Sequence, residues 1–234
     1  MRMIDIAQVT DCTQHASEAA AHVLAQAFAD DPGMAHIVDP GPADTRMERI
    51  TRLCRYFVRY TRRIGKVVLV MEGAEVKGVS CLLSPASMPL GLIAELAAGG
   101  WKLPYQLGLR SCLKAMSVSA ALAKGHRHTM HSQPHWYLFQ MAVAPNAQRQ
   151  GVGRMLLDDL RTRADRDRVP VYLETFAQAN VAYYEAHGFD LISREGMISS
   201  GSGGLGFWQL VRPAFCDHCA PIASPIAGQR LYLR

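Results

Sequence analysis

The chain has 234 residues, of which 49% are hydrophobic and 19% charged, with a formal net charge of +5. That balance excludes a disordered polyelectrolyte, and the length suits one large domain or one domain with an extension. No apolar run approaches the roughly 20 residues needed to cross a bilayer, and Asp5 and Asp11 interrupt any signal-peptide core, so a cytoplasmic protein with no membrane partner is expected.

Taken in order, Met3 to Val9 reads as a first strand. Thr13 or Ser17 can cap a helix that runs to about Ala29, with Ala20, Val23, Leu24 and Phe28 on its apolar face, and Pro32 with Gly33 should stop it. Asp30 and Asp31, at that helix end, are candidates to line a substrate mouth and attract an amine. A second helix is expected over 43–63, with Ile50, Leu53, Cys54, Phe57 and Val58 inward. Val67 to Met71 and Val76 to Leu83 read as strands joined by a hairpin at Glu72 to Glu75. From Pro89 to about Lys124 the pattern is helical but broken at Gly99-Gly100 and Pro104, an insertion expected to cover one wall of a pocket. His126, His128, His131 and His135 follow. Their spacing fits no single helix face and no cysteine or acid lies among them, so a solvent-exposed loop is expected rather than a metal site. Cys12, Cys54, Cys81 and Cys112 sit in apolar segments as small core residues, and Cys216 with Cys219 lacks the second pair of a metal knuckle.

The densest signal lies at Trp136 to Leu156. Trp136 to Val143 is a short apolar strand closed by Pro145 and Asn146, and Val152, Met155, Leu156 and Leu160 then mark one face of a helix. Between them stands Gln148-Arg149-Gln150-Gly151-Val152-Gly153. A glycine-rich turn that opens a helix leaves its first N–H groups unpartnered and admits an anion, and Arg149 and Arg154 add positive charge. The segment is therefore a candidate pyrophosphate cradle, set against a helix start that is merely rich in glycine. A Walker loop is excluded because Arg154 and Met155 follow Gly153. A dinucleotide fingerprint would make the chain an oxidoreductase. Leu156 stands where its third glycine belongs, although Glu174 falls near its ribose-binding acid. Farther on, Arg161, Arg163, Arg166 and Arg168 alternate with Asp158, Asp159, Asp165 and Asp167, a solvated helix face that argues against a nucleic-acid partner. Val169 to Thr175 is a strand parallel to the Trp136 strand through a right-handed crossover. Asn180 is placed to cap a helix that Gly188 and Phe189 close, and Leu191 to Ile198 with Phe207 to Val211 form a final hairpin.

Several of these stretches together resemble one family. A-F-A-D-D-P (27–32), I-G-K-V (64–67), W-Y-L (136–138), V-A-P (143–145), the Gln148 to Gly153 loop, Y-L-E-T (172–175), N-V-A-Y-Y-E-A-H-G-F (180–189) and W-Q-L-V-R-P (208–213) are similar to the GNAT superfamily of N-acetyltransferases. The likeness is greatest to the puromycin N-acetyltransferase-like branch. The loop fits the family pattern Gln/Arg-x-x-Gly-x-Gly/Ala at every fixed position.

The resemblance implies an α/β (α+β) three-layer αβα fold over 1–213, with an irregular tail at 214–234. Its mixed, mostly antiparallel sheet of six or seven strands would splay between the Trp136 and Val169 strands. It also implies acetyl-CoA as cosubstrate, with Met141, Ala142 and Val143 along the pantetheine arm, Gln148, Arg149, Gln150, Gly151, Val152, Gly153 and Arg154 at the pyrophosphate, and Asn180 as a further contact. Tyr184 would protonate the leaving thiolate. Glu174, at the end of its strand, is the candidate base, directly or through a water, set against a surface or cofactor-edge acid. Gln140 stands where some members carry a glutamate on the strand before the loop. The expected activity is direct acetyl transfer to a primary amine of a small molecule, by a monomer or homodimer without a metal. A protein or peptide N-acetyltransferase and a non-catalytic acyl-CoA-binding protein are the alternatives.

Overall fold

The valine-rich apolar run of Val67 to Val70 and the largely apolar run of Val79 to Leu83 pair as antiparallel neighbours, β2 (Gly65–Glu72) and β3 (Glu75–Leu83). Gly73 makes the connecting turn at φ +60, as the hairpin signal predicts. The computed structural model describes residues 7–38, 43–87, 92–198 and 204–215. Its strands form one seven-stranded sheet in the order β1-β2-β3-β4-β5-β7-β6, with β1 at Ala7–Asp11, β4 at Trp136–Val143, β5 at Val171–Thr175, β6 at Asp190–Ile198 and β7 at Leu205–Arg212. Every pairing is antiparallel except β4 with β5. The expected mixed sheet is thus present. The closing hairpin folds back so that β7, and not β6, pairs with β5. Residues 3–6 of the expected first strand, residues 199–203 between the two strands of the closing hairpin, and Cys216 with Cys219 lie outside the described residues.

Helices cover both faces. On one lie α1 (Ser17–Ala27), α3 (Ala43–Ile64) and α6 (Leu109–Met130). Arg55 pairs with Glu18 to lock α1 to α3, and Arg62 reaches Gln14 and Ser17. Ile50, Leu53, Cys54 and Val58 are buried as the helical period requires. On the other face α7 (Val152–Asp167) buries Val152, Leu156, Leu157, Leu160 and Ala164, each leucine contributing about 1.5–3 kcal/mol. The polar face of α7 carries the expected ion pairs, Arg161 with Asp158 and Arg163 with Asp159.

Three boundaries differ from the sequence reading, each for a local reason. Pro32 does end α1, but it also starts α2 (Pro32–Ile37), because Asp31 caps that short helix by accepting the Met34 N–H at 3.0 Å. Pro104 likewise sits in the first turn of α5 (Leu103–Leu107), where its missing N–H costs nothing. The expected break at Gly99-Gly100 is present between α4 (Leu92–Ala97) and α5, with Gly99 at φ +94, and a further interruption follows at Gly108, whose φ is +85. Finally α6 continues to Met130, so His126 and His128 are helical rather than in a loop.

The contact between β3 and α7 depends on one glycine. A Cβ at Gly78 would lie 2.5 Å from Val152 Cγ1 and 3.1 Å from Leu156 Cδ1. We expect Gly78→Val to overpack this seam and cost about 1–3 kcal/mol, read as a lower urea midpoint at unchanged slope.

Candidate active site

The pairing of β4 with β5 lasts only three residues: Trp136 with Val171, Tyr137 with Tyr172 and Leu138 with Leu173. Beyond that point β4 stays paired with β3 as far as Val143, and β5 stays paired with β7 as far as Thr175. The two strands therefore part, leaving a slot in the middle of the sheet. The burial pattern records it. Trp136, Tyr137 and Leu138 are buried, whereas Phe139, Gln140 and Met141 are partly accessible although their strand is central.

The β4 edge of the slot presents backbone groups of known direction. Ala144 donates its N–H to the Lys77 carbonyl at 2.9 Å. Because successive residues of a strand alternate edges, Met141 and Val143 direct theirs to the side that β5 has left. A short 3-10 turn, Pro145–Ala147, leads from β4 into the cradle. Arg149 takes φ +60 and Gly151 φ +88, and Gln148 to Gly151 are all exposed. Gly151 occupies the N-cap position of α7 and no side chain caps that helix. A 16-residue helix with an uncapped, glycine-lined start, flanked by Arg149 and Arg154, suits a pyrophosphate. A Cβ on Gly153 would lie 3.6 Å from Val143 Cγ2, so the cradle adjoins the end of β4.

Across the slot, β5 leads into α8 (Ala179–Glu185). Asn180 is not the N-cap of this helix. Gln178 holds that position, and Asn180 Nδ2 donates to Thr175 Oγ1 at 3.1 Å, tying the first turn to the end of β5. The predicted C-terminal cap is present: Gly188 has φ +86, and Phe189 donates to the Tyr184 carbonyl at 3.2 Å. Tyr184 is buried, with its ring edge-on to Phe189 at 5.7 Å, and burial raises its phenol well above the ordinary value, so it stays protonated. Neighbouring Tyr183 rests its hydroxyl on the first turn of α7, where a Cβ on Gly153 would approach it to 2.6 Å.

Asp30 is exposed in the turn before α2. The Asp31 carboxyl, raised by burial, is already committed to the α2 cap and so is not freely presented to a ligand. The turn nonetheless packs on the end of β5, since Gly33 lies directly against the Phe176 ring.

Glu174 lies just beyond the last residue of β5 that pairs with β4. Tyr137 donates to its Oε2 at 2.6 Å and Tyr172 to its Oε1 at 2.7 Å. Burial pushes its pKa up to about 7, against the opposing effect of the two phenols. His126 stacks on Tyr172 at 4.6 Å, and its Nε2 lies 2.6 Å from Nε2 of buried His135. The expectation that the histidines form a solvent-exposed loop therefore fails for these two. Their rings close the cluster around Glu174, and burial lowers both, His126 to about 4. His128 and His131 are exposed. Sequence reasoning missed Tyr137 and Tyr172 as partners of Glu174, and Gln209 as the partner of Tyr172. The i, i+2 spacing of Tyr172 and Glu174 was the only local hint, because the other contacts depend on strand order.

Among the described residues no group of three or more His, Cys, Asp or Glu gathers as metal ligands, and no described helix is long and apolar enough to cross a membrane. Residues 118–189, from α6 to the end of the α8 cap, match the acetyltransferase (GNAT) family. An uncharacterized N-acetyltransferase of Schizosaccharomyces pombe is 27% identical over 177 residues, 73% of this chain and 69% of the relative. Among solved structures, the histone acetyltransferase HPA2 and related acetyltransferase of Corynebacterium glutamicum aligns with TM-score 0.66 at 21% identity, covering 91% of this chain and 99% of that one. The Drosophila melanogaster polyamine N-acetyltransferase, which forms N-acetylagmatine, aligns with TM-score 0.57 at 14% identity, covering 88% and 99%. The fold is the GNAT acetyltransferase fold, and the family match spans the Gln148 to Gly153 turn and α8.

The raised Glu174 pKa has a consequence for stability. Between its ordinary value of about 4.5 and about 7, the folded state holds a proton that the unfolded chain has released. The native state then binds more protons, and this group's contribution to stability falls as pH rises through that window. Glu174→Gln should gain stability relative to the parent from pH 5 to pH 7.5, on the order of 1–3 kcal/mol, in paired urea titrations. A difference that is flat with pH would show that Glu174 titrates normally.

Proposed function

We propose that the chain is an acetyl-CoA-dependent N-acetyltransferase that acetylates a primary amine of a small molecule by direct transfer in a ternary complex. The observation that carries this reading is the slot between β4 and β5, bordered by the free edge of Met141 to Val143 and adjoining an uncapped helix start. Gln148 to Arg154 would hold the pyrophosphate through backbone N–H groups and arginine charge, and Asn180 would flank the pantetheine arm. The thioester supplies the activated acetyl group. Backbone donors fixed along β4 would polarise its carbonyl without reorganising, which is where preorganised dipoles contribute most.

Two side chains would then handle protons. An alkylamine with a pKa near 10.4 is less than about one part in a thousand neutral at pH 7, so a base must take its proton. Glu174 takes it, directly or through one water, and a carboxylate titrating at about 7 is matched to that task. As the nitrogen–carbon bond forms and the carbon–sulfur bond breaks, Tyr184 gives its proton to the departing sulfur. A covalent acetyl-cysteine route has little support. Cys54 and Cys81 are buried, and burial pushes both thiols up, Cys81 to about 12, which denies them a thiolate. The helices α4 to α6, inserted between β3 and β4, favour a covered site for a small acceptor over the open groove a protein substrate needs. Within the family, the motifs at 27–32 and 180–189 favour the puromycin N-acetyltransferase-like branch.

Acetyl-CoA at about 100 times its dissociation constant should stabilise the fold by roughly 2.7 kcal/mol, seen as a melting shift that NAD does not produce. A shift with NAD alone would sink the reading. Tyr184→Phe should lower turnover about 10²-fold or more in a thiol-release assay while leaving the CoA dissociation constant unchanged. Unchanged turnover would remove Tyr184 from the acid role.

A further inference from the structure

Glu174 is supported by a cross-strand neighbour whose side-chain hydrogen bond goes not to its carboxylate but to the Tyr172 hydroxyl. Gln209, on β7 directly opposite Glu174, has no exposed surface. Its Nε2 donates to the Tyr172 hydroxyl at 2.5 Å, and that hydroxyl donates to Glu174 Oε1. A phenol has one proton to give. Because the Gln209 N–H occupies a lone pair of the Tyr172 oxygen, the Tyr172 hydrogen is committed to Glu174. With the amide reversed, Gln209 Oε1 and Glu174 would compete for that single hydrogen. Among the described residues Gln209 Oε1 is buried without a partner, a cost that an ordinary core position avoids by using an apolar residue. The helix α6 comes close enough to seal this group only because position 125 is glycine: a Cβ there would lie 2.8 Å from Gln209 Nε2.

The other groups around Glu174 are Tyr137 from β4, Tyr60 from α3 beside Tyr137, His126 from α6 and His135 from the turn before β4. The histidine pair supplies no proton to the carboxylate. His135 Nδ1 lies 2.6 Å from the Gln133 carbonyl, which only accepts, so Nδ1 carries the hydrogen of a neutral ring. Its Nε2 then accepts from His126 Nε2, and both rings fit as neutral. Among the described residues the Glu174 charge therefore rests on hydroxyl donors, with no cationic side chain among its partners.

We propose that Gln209 is a positioning residue for the acetyl transfer: acting through Tyr172, and with Tyr137 on the other oxygen, it holds Glu174 as an ionised, oriented carboxylate. The inference rests on the reading of Glu174 as the base. Hydrogen bonds to an ionised acceptor are about twice as strong as neutral ones, and a chain of donors pointing one way strengthens each link. Loss of Gln209 therefore weakens the ionised state more than the protonated one.

The test is the carbon-13 titration of the Glu174 side-chain carboxyl, assigned by its disappearance in Glu174→Gln, followed from about pH 4 to 9 alongside the pH profile of kcat/KM. In Gln209→Met the carboxyl midpoint should rise by about half a pH unit or more, and in Tyr172→Phe by more still. The acid limb of kcat/KM should move by the same amount, with activity recovering at higher pH. Gln209→Leu serves the same purpose if Gln209→Met does not fold. A Gln209 variant whose midpoint stays at the parent value overturns the inference. If Glu174→Gln keeps parental turnover and pH profile, the base reading fails instead, and the carbon titration still decides whether Gln209 tunes Glu174.

Discussion

The separation of β4 from β5 after three residue pairs is the constraint on which the rest of the molecule depends. Each strand remains paired along its outer edge, β4 with β3 and β5 with β7, so the sheet behaves as two half-sheets joined by a short parallel seam. A central strand ordinarily loses both edges to its neighbours. Here Met141 and Val143 keep one edge free, at the point where the chain turns into the start of α7. Backbone polar groups left unpaired in a sheet interior are costly unless something else partners them. The slot is thus a place where, among the described residues, the backbone of β4 keeps hydrogen-bonding capacity that β5 does not take up.

Around the slot, burial acts differently on different chemistries. It raises Cys54 and Cys81 and so silences two thiols. It raises Tyr184 and keeps a proton on the phenol. It raises Glu174 too, but two hydroxyl donors limit the rise to about 7, within the range where a carboxylate can both take and release a proton. Desolvation is common to all of these groups. What separates their behaviour is the hydrogen-bond partner that each one has.

Glycine placement governs how closely the elements approach. Gly78 brings β3 against the first turn of α7, Gly153 admits Tyr183 over that same turn, and Gly125 lets α6 press on Gln209 and Phe207. At each of these positions a methyl group would meet a neighbour at under 3 Å. The glycines at 151 and 188 act through positive φ instead, shaping the start of α7 and the end of α8.

Much was legible in the sequence because it is local. The hairpin at Gly73, the strand Trp136 to Val143, the cradle with its glycines and the cap at Gly188 follow from periodicity and turn chemistry within about ten residues. Hydrogen bonding inside a turn or helix needs no distant partner. Long-range packing determined the rest. Thr175 took Asn180 from the cap position, and α6 ran on through His126 because the sheet offered Tyr137 and Tyr172 for the histidine ring to pack on. Glu174 could be found from its place at a strand end. Its charge state and partners could not, since Tyr137 and Gln209 each stand more than thirty residues away and reach it, directly or through Tyr172, only once β5 lies between β4 and β7. The sequence by itself determined the elements and the glycine-rich turn that opens α7, through local backbone preferences. Only the tertiary structure decided which side chains set the protonation of Glu174, because that depends on strand order and burial.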